Sequence, residues 1–260
     1  MPIAHNEPSV SFLVVFVAAF VASAINSVAG GGTLISFPAL IWVGLPSTIA
    51  NATSTVAIWP GSLGGVWGYR RELRGVPPVT YSLIVPSVIG GITGAVLLEM
   101  TPTAVFDRLI PLLILFATIL FMLQEPVQRM IKTTGKAHEG SKSWLVGALL
   151  FQFLVSLYGG YFGAGIGILM LAAFGIMGFT DIHQMNGLKN FLALCINGLA
   201  ALYFIWNGMV SWPHAILMAA GAVVGGIWGA GTARRIGPKG VRRIVIAVGF
   251  TMALSLLMRL

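Results

Sequence analysis

At 260 residues, 57% hydrophobic and only 8% charged, with a mean hydropathy of +0.92, the chain has too few polar side chains to clothe a water-facing surface; soluble domains carry about 25% charged residues. The formal charge of +8 comes from 15 Lys and Arg against 7 Asp and Glu. These cations sit in short loops beside apolar runs, which makes them orienting charges of a membrane protein rather than a nucleic-acid footprint. The single cysteine, Cys195, lies inside an apolar run, which excludes a disulfide framework or a cysteine metal site.

Apolar runs of about 20 residues separated by short polar loops predict an all-α polytopic membrane protein rather than a barrel. Residues 1–8 contain no Lys or Arg and no polar cleavage region follows, so no signal peptide is expected there. An apolar segment at residues 9–28 reaches Asn26-Ser-Val-Ala-Gly-Gly-Gly-Thr33 and resumes at 34–43, where Gly-Leu-Pro-Ser ends it. Non-helical backbone at membrane depth is tolerated only where it is buried in protein or lines a cavity. The glycine break is therefore the first candidate site. Further spans are expected at 47–69, 78–98 and 105–123, and then the long polar connection 125–143 joins two halves.

The second half repeats the first. Displaced by 135 residues, Asn51 falls on Asn186, Pro78 on Pro213, Arg108 on Arg243, and Gly90-Gly-Ile-Thr-Gly-Ala95 on Gly225-Gly-Ile-Trp-Gly-Ala230. One extra residue before Asn51 brings Gly31 onto Gly165, so the first break has a partner in Gly159-Gly-Tyr-Phe-Gly-Ala-Gly-Ile-Gly167. The expected units are residues 1–124, a basic cytoplasmic linker 125–143, and residues 144–260.

Loop charge relates the halves. Arg70, Arg71 and Arg74 follow the second span, and the equivalent loop near residues 207–211 is uncharged. Conversely, Glu99, Asp107 and Arg108 lie between the third and fourth spans, whereas Arg234, Arg235, Lys239, Arg242 and Arg243 occupy the equivalent stretch, expected as a cytoplasmic turn. The bias switches sides, so the halves are expected to be inverted, each a broken, re-entrant-like hairpin plus three spans. Eight plain spans with parallel repeats would leave one basic loop on the wrong face.

Polar residues inside the spans narrow the site. Asn51, Ser54, Thr55 and Ser62 share one helical stripe, and their repeat partners are Asn186, Lys189, Asn190 and Asn197. Such residues also serve as interhelical glue. The functional alternative is that both stripes and both breaks line one cavity. Its members would be Asn26, Ser27, Gly30, Gly31, Gly32, Thr33, Asn51, Ser54, Thr55, Gly163, Gly165, Gly167, Asn186, Lys189, Asn190 and Asn197. Lys189 is the one basic residue well inside a predicted span, roughly 9 Å from its start; snorkelling to the surface is the competing explanation. Lys189, Asn and Ser/Thr donors and half-helix N-termini would together suit a small anion.

The segment Asn26-Ser-Val-Ala-Gly-Gly-Gly-Thr-Leu-Ile-Ser-Phe-Pro-Ala-Leu, with Gly-Leu-Pro and Asn51-Ala-Thr-Ser-Thr, resembles the sulfite exporter TauE/SafE family of the 4-toluene sulfonate uptake permease superfamily. Gly160-Tyr-Phe-Gly-Ala-Gly-Ile-Gly and Asn186-Gly-Leu-Lys-Asn resemble the corresponding family region, and the likeness covers residues 10–258. The resemblance implies a multi-pass permease of the cytoplasmic (inner) membrane for sulfite, sulfoacetate or other sulfonates.

Other chemistries find little footing. The glycines neither follow a strand nor open a nucleotide-binding unit, and His5, His138, His183 and His214 have no metal-ligand spacing. No cofactor is expected. Alternatives to a carrier are a passive anion channel and an intramembrane enzyme using Ser27 or Ser54, which lack an activating His or carboxylate in sequence. Glu99 and Asp181 lie at a span end and in a loop, so a coupling proton could travel with the substrate or be replaced by another ion. Expected partners are the bilayer and a small anion, with no nucleic acid.

Overall fold

The computed structural model describes residues 8–28, 31–76, 78–133, 142–177, 179 and 181–258. The helices are α1 (Pro8–Val28), α2 (Thr33–Trp42), α3 (Ser47–Gly68), α4 (Arg70–Leu73), α5 (Ile84–Met100), α6 (Thr103–Thr133), α7 (Lys142–Tyr161), α8 (Ile166–Ile176), α9 (Ile182–Trp206) and α10 (Trp212–Leu257). A 3-10 turn, Pro78–Leu83, leads into α5. Among the described residues three stretches are long and apolar enough to cross a membrane, Thr80–Met100, Thr103–Leu123 and Ile182–Trp206, with six shorter apolar helices beside them. Leu13, Val85, Leu150, Leu154, Ile216 and Leu254 all face outward with more than half their surface exposed. A surface so apolar belongs in lipid, and the chain is an all-α polytopic membrane protein.

The interior is drier in one sense and more polar in another. Phe37, Phe106, Phe121, Phe162, Phe174 and Phe204 are fully buried, and so are Ser36, Ser54, Ser87, Thr118 and Ser156. Small hydroxyls fit this setting because each can return its proton to a carbonyl one turn back, as Thr118 does to Ile114 (2.7 Å) and Ser156 to Gln152 (2.6 Å). Where α9 begins, Asp181 caps it by accepting from His183 N at 2.8 Å and from Gln184 N at 3.4 Å.

The closest helix pairs join the two halves of the sequence. α5 runs parallel to α7: Gln152 donates to Ser87 at 2.8 Å, a Cβ on Gly90 would lie 2.7 Å from the Phe153 carbonyl oxygen, and Gly94 abuts the Leu157 carbonyl. Gly160 on α7 in turn abuts the Gly91 carbonyl. α10 runs parallel to α1 in the same manner, with His214 beside Phe12, Gly221 2.6 Å (as a Cβ) from the Phe16 carbonyl oxygen, and Gly225 against the Phe20 carbonyl. The two glycine-rich blocks that repeat in sequence thus do the same work, each letting its helix backbone touch the opening helix of the other half.

α3 and α9 lie antiparallel. Gly187 near the start of α9 touches Tyr69 and Leu73 at the end of α3 and in α4, and Gly198 touches Trp59. At the crossing Trp59 Nε1 donates to the Leu194 carbonyl at 3.1 Å. Thr53 near the start of α3 accepts from Ser211 N at 3.0 Å, beyond the end of α9.

Two stretches differ from expectation. The polar connection from residue 125 starts as helix, because α6 continues through Pro126 to Thr133; residues 134–141 lie outside the described residues. The turn expected at residues 234–243 lies inside α10, which is helical from Trp212 to Leu257. Arg and Lys are good helix formers, so a cationic stretch between two apolar ones need not interrupt the backbone ladder. A straight helix of 46 residues would hold its ends about 69 Å apart. Both ends of α10 instead lie near the start of α3, one through Ser211 and the other where Met252, Ser255 and Leu256 face Phe37, Pro38, Ile41 and Trp42 of α2. The chain therefore reverses direction between the two apolar ends, as the expected turn requires, although the residues there are helical.

Close backbone approach makes a sharp prediction. Gly94→Ala and Gly225→Ala should each cost roughly 1–3 kcal/mol, because the neighbour in the way is a carbonyl rather than a movable side chain. Gly64→Ala, with nothing within 4 Å of its Cβ, should be neutral or stabilising by up to ~1 kcal/mol through helix propensity. Apparent Tm of the detergent-solubilised protein checks all three.

Candidate functional site

The first break separates α1 from α2. Gly31 has φ +88°, a left-handed conformation that glycine adopts without strain, and the chain re-enters helix through Leu34 N to Gly31 O (3.0 Å) and Ile35 N to Gly32 O (2.9 Å). Gly32 abuts the Ala22 carbonyl, so the turn is pressed against α1 itself. Gly30 falls outside the described residues, and Ser27 belongs to the last turn of α1.

The second break separates α7 from α8. Phe162 N and Gly163 N both donate to the Tyr158 carbonyl (2.9 and 3.0 Å), closing α7. Gly163 (φ +81°) and Gly165 (φ +82°) then reverse the chain. The Tyr158 hydroxyl reaches across the turn and donates to Ala164 O at 2.7 Å. These bonds answer the demand that polar backbone at membrane depth find partners within the protein.

Both breaks rest on the same turn of α6. A side chain at Gly31 would collide with the Phe121 ring; one at Gly165 would meet Leu120 Cδ1 at 3.3 Å and Ala117 at 3.7 Å. Residues 117–121 therefore bring the two breaks to one place in the bundle. Nothing in the sequence singles out this apolar turn among others like it.

The α3 stripe reaches both hairpins. Asn51, 1% exposed, donates from Nδ2 to the Tyr161 carbonyl at 2.9 Å, at the lip of the second break. Its Oδ1 is buried without a hydrogen-bond partner. Ser54 is fully buried and shares a 2.7 Å hydrogen bond with Ser36 of α2, whose hydroxyl also reaches Gly32 O at 3.3 Å. Thr55 donates to Asn51 O at 3.0 Å, a bond within its own helix. Ser54 thus ties α3 to the first hairpin, and Asn51 ties it to the second. Ser36 carried no signal in sequence beyond being a polar residue in a short apolar helix.

The α9 stripe faces the second break. Lys189 lays its aliphatic stem over Gly167, with Lys189 Cδ 3.0 Å from where a Cβ would sit, and its ammonium donates to Asn186 Oδ1 at 3.0 Å. Asn186 in turn donates from Nδ2 to Ile182 O at 2.8 Å. The Asn197 Oδ1 lies 3.7 Å from the Cβ position of Gly163. Asn26, Thr33 and Asn190 are half-buried, Thr33 as the first residue of α2. The two stripes do not behave alike: Asn51 crosses to the other half's hairpin, whereas Asn186 holds Lys189 and its own helix.

The stem of Lys189 rests on the first turn of α8 while its ammonium turns to Asn186, which is neutral. The first N–H groups of a helix have no intrahelical acceptors and carry the positive end of its dipole. An oxyanion held near this turn would answer both the helix end and the uncompensated lysine charge.

A family model, Sulfite exporter TauE/SafE, matches residues 15–256. A probable membrane transporter protein of Haemophilus influenzae is 27% identical over 244 residues, covering 92% of this chain and 91% of that one. Probable membrane transporter protein ORF9 of Sinorhizobium sp is 27% identical, over 93% of this chain and 90% of its own. Probable membrane transporter protein YfcA of Escherichia coli K12 is 26% identical over 94% and 88%. No solved structure matches the chain at a significant level. With a helical bundle that suits lipid and a family match running from α1 to the end of α10, the chain belongs to the sulfite exporter TauE/SafE family and is a membrane transporter.

Proposed function

We propose that this protein is a secondary permease of the cell inner membrane that carries a small anion, sulfite or an organosulfonate, by alternating access at a site between the two glycine breaks. The observation that carries this reading is the meeting of Lys189 with Gly167 in the first turn of α8, beside a break that shares an α6 turn with its counterpart. Sulfite and sulfonate head groups present several acceptor oxygens and a negative charge, the complement of an ammonium and of the positive end of a helix dipole. The family takes its name from sulfite export.

Residues 1–124 and 144–260 are proposed as inverted repeats joined by a basic cytoplasmic segment. Supporting this are the antiparallel course of α3 and α9, the bond between Trp59 and Leu194 across a separation of 135 residues, and the reciprocal packing of α5 on α7 and α10 on α1. The positive-inside rule makes the end of the bundle holding Arg70, Arg71 and Arg74 cytoplasmic and the end holding Thr101, Thr103 and Ser211 external. In such transporters a discontinuous helix pair near the midplane supplies the ligand site, and rocking of one repeat against the other exposes it in turn.

The test is a thermal-shift screen of the purified protein against sulfite, sulfate, thiosulfate, short sulfonates and carboxylates. Sulfite or a sulfonate should raise the apparent Tm with the logarithm of its concentration above Kd, the stabilisation reaching about 2.7 kcal/mol at 100 times Kd. A panel in which no sulfur oxyanion shifts Tm more than chloride does would sink the proposal. Lys189→Gln should weaken binding by about 2 kcal/mol, roughly 30-fold, while leaving the Tm of the unliganded protein unchanged, since the Gln amide can still donate to Asn186 and cover Gly167. Equal affinity in parent and variant would reduce Lys189 to a structural residue. Counterflow in proteoliposomes, expected for a carrier, is not shown by a channel.

A further inference from the structure

Above the two breaks, toward the end of the bundle holding Thr101 and Thr103, six aromatic rings form a continuous chain. Phe116 contacts Tyr158 (5.4 Å between centroids), Tyr158 contacts Phe162 (6.4 Å), Phe162 contacts Phe37 (5.5 Å), Phe37 contacts Phe106 (6.5 Å) and Phe106 contacts Tyr161 (5.6 Å). Most of these contacts are edge-to-face, the arrangement in which aromatic pairs gain beyond simple burial. The rings come from three separate elements: α2 of the first hairpin, α6, and the α7 tip of the second hairpin. Phe37, Phe106 and Phe162 are at most 1% exposed.

Two hydrogen bonds fasten the same tip. The Tyr161 carbonyl accepts from Asn51 on α3, and the Tyr161 hydroxyl donates to Thr101 Oγ1 at 3.3 Å, at the end of α5. Tyr161 is thereby tied by its backbone to one element and by its side chain to another.

The repeat supplies a control that a packing argument alone lacks. In the register that sets Gly31 on Gly165 and Asn51 on Asn186, Phe37 corresponds to Leu171, Phe106 to Val241, Tyr161 to Ser27 and Phe162 to Val28; Tyr158 and Phe116 correspond to Ala24 and Thr251. Every ring has a non-aromatic counterpart. The first tip meets the single ring of Phe121 over Gly31, so a chain of rings is particular to the second tip.

We propose that Phe37, Phe106, Tyr161 and Phe162 form an external gate, shut in this structure, which the equivalent positions of the repeat, Leu171, Val241, Ser27 and Val28, do not duplicate. The proposal rests on the alternating-access reading above and adds to it a direction: the conformation favoured without ligand is closed outward. Opening outward requires the α7 tip to leave Phe37 and Phe106 and to give up both Tyr161 hydrogen bonds. A ligand can drive that change only by binding the outward-open form more tightly.

Cysteine accessibility tests this without any ligand, so its result is independent of whether sulfite binds. In a Cys195→Ser background, Thr55→Cys places a reporter on half-buried α3, one turn inward of Asn51. A membrane-impermeant maleimide is applied to intact cells and to inside-out vesicles. With the rings intact, labelling from outside should be about tenfold slower than from the cytoplasmic side. Phe37→Leu, Phe106→Val and Phe162→Val, each borrowing the residue of the other half, should raise the outside rate until the two are comparable. Tyr161→Phe keeps every ring and removes only the hydroxyl bond, so it should raise the outside rate by a smaller factor, and it serves where a ring variant does not elute as a monodisperse species. The proposal is overturned if the outside rate already equals the inside rate, if neither face labels the reporter, or if Tyr161→Phe and the folded ring variants leave the ratio unchanged.

Discussion

Every feature of this protein answers to the same constraint: in hydrocarbon, a backbone N–H or C=O without a partner costs several kcal/mol. A chain with 33 glycines and 13 prolines can spend its helix-breaking residues only where other parts of the protein meet them. The second break shows how closely this is observed. Its carbonyls at Tyr158, Tyr161 and Ala164 are engaged by backbone N–H groups, by Asn51 and by the Tyr158 hydroxyl, so α7 with its tip and α3 cooperate to allow one reversal of direction. What is left over, the first turn of α8, is left beside Lys189.

The glycines fall into two kinds with opposite physical roles. Gly31, Gly163 and Gly165 are needed for a backbone conformation that a side chain would strain. Gly90, Gly94, Gly160, Gly221 and Gly225 have ordinary helical backbones and are needed because another main chain passes where a Cβ would be. The second kind fixes the helix pairs α5 with α7 and α1 with α10, and these pairs in turn hold the hairpins at the depth where the first kind can face α6. Polar side chains refine this frame unequally. Gln152 bridges Ser87 and Ser156 between α5 and α7, whereas the corresponding positions between α10 and α1 are Ala18, Ala222 and Ala22.

Much of the frame was legible before any coordinates. Composition demanded a membrane bundle, and the bounds of α2, α3, α5 and α9 fall close to the apolar runs that Gly44-Leu-Pro, Arg70-Arg71, Pro78 and Asp181 punctuate. The partners of individual site residues were not legible, because a helical stripe states which residues share a face and leaves open what lies opposite. Thr55 and Asn186 proved to bond carbonyls of their own helices, a use that Ser, Thr and Asn have wherever they occur. Ser54 found Ser36, and Gly31 and Gly165 found residues 117–121, through long-range packing that spacing does not encode. The tyrosines at 158 and 161 could have been noticed: hydroxyls three residues apart beside a Gly-Gly pair in an apolar run are suited to satisfying a broken backbone. For α10 the reversal between its apolar ends was legible and its helical backbone was not, since a charged stretch between apolar ones reads as a loop yet can remain helical.

Trp59 donates to Leu194, the position that its own sequence counterpart occupies. In the proposed inverted arrangement, a bond joining a residue to its counterpart lies close to the axis that would interchange the halves. A contact made by equivalent positions of both halves is suited to persist while the hairpin tips move. Such a bond need never break during a transport cycle, so the indole of Trp59 should keep a constant environment while residues at the tips exchange theirs.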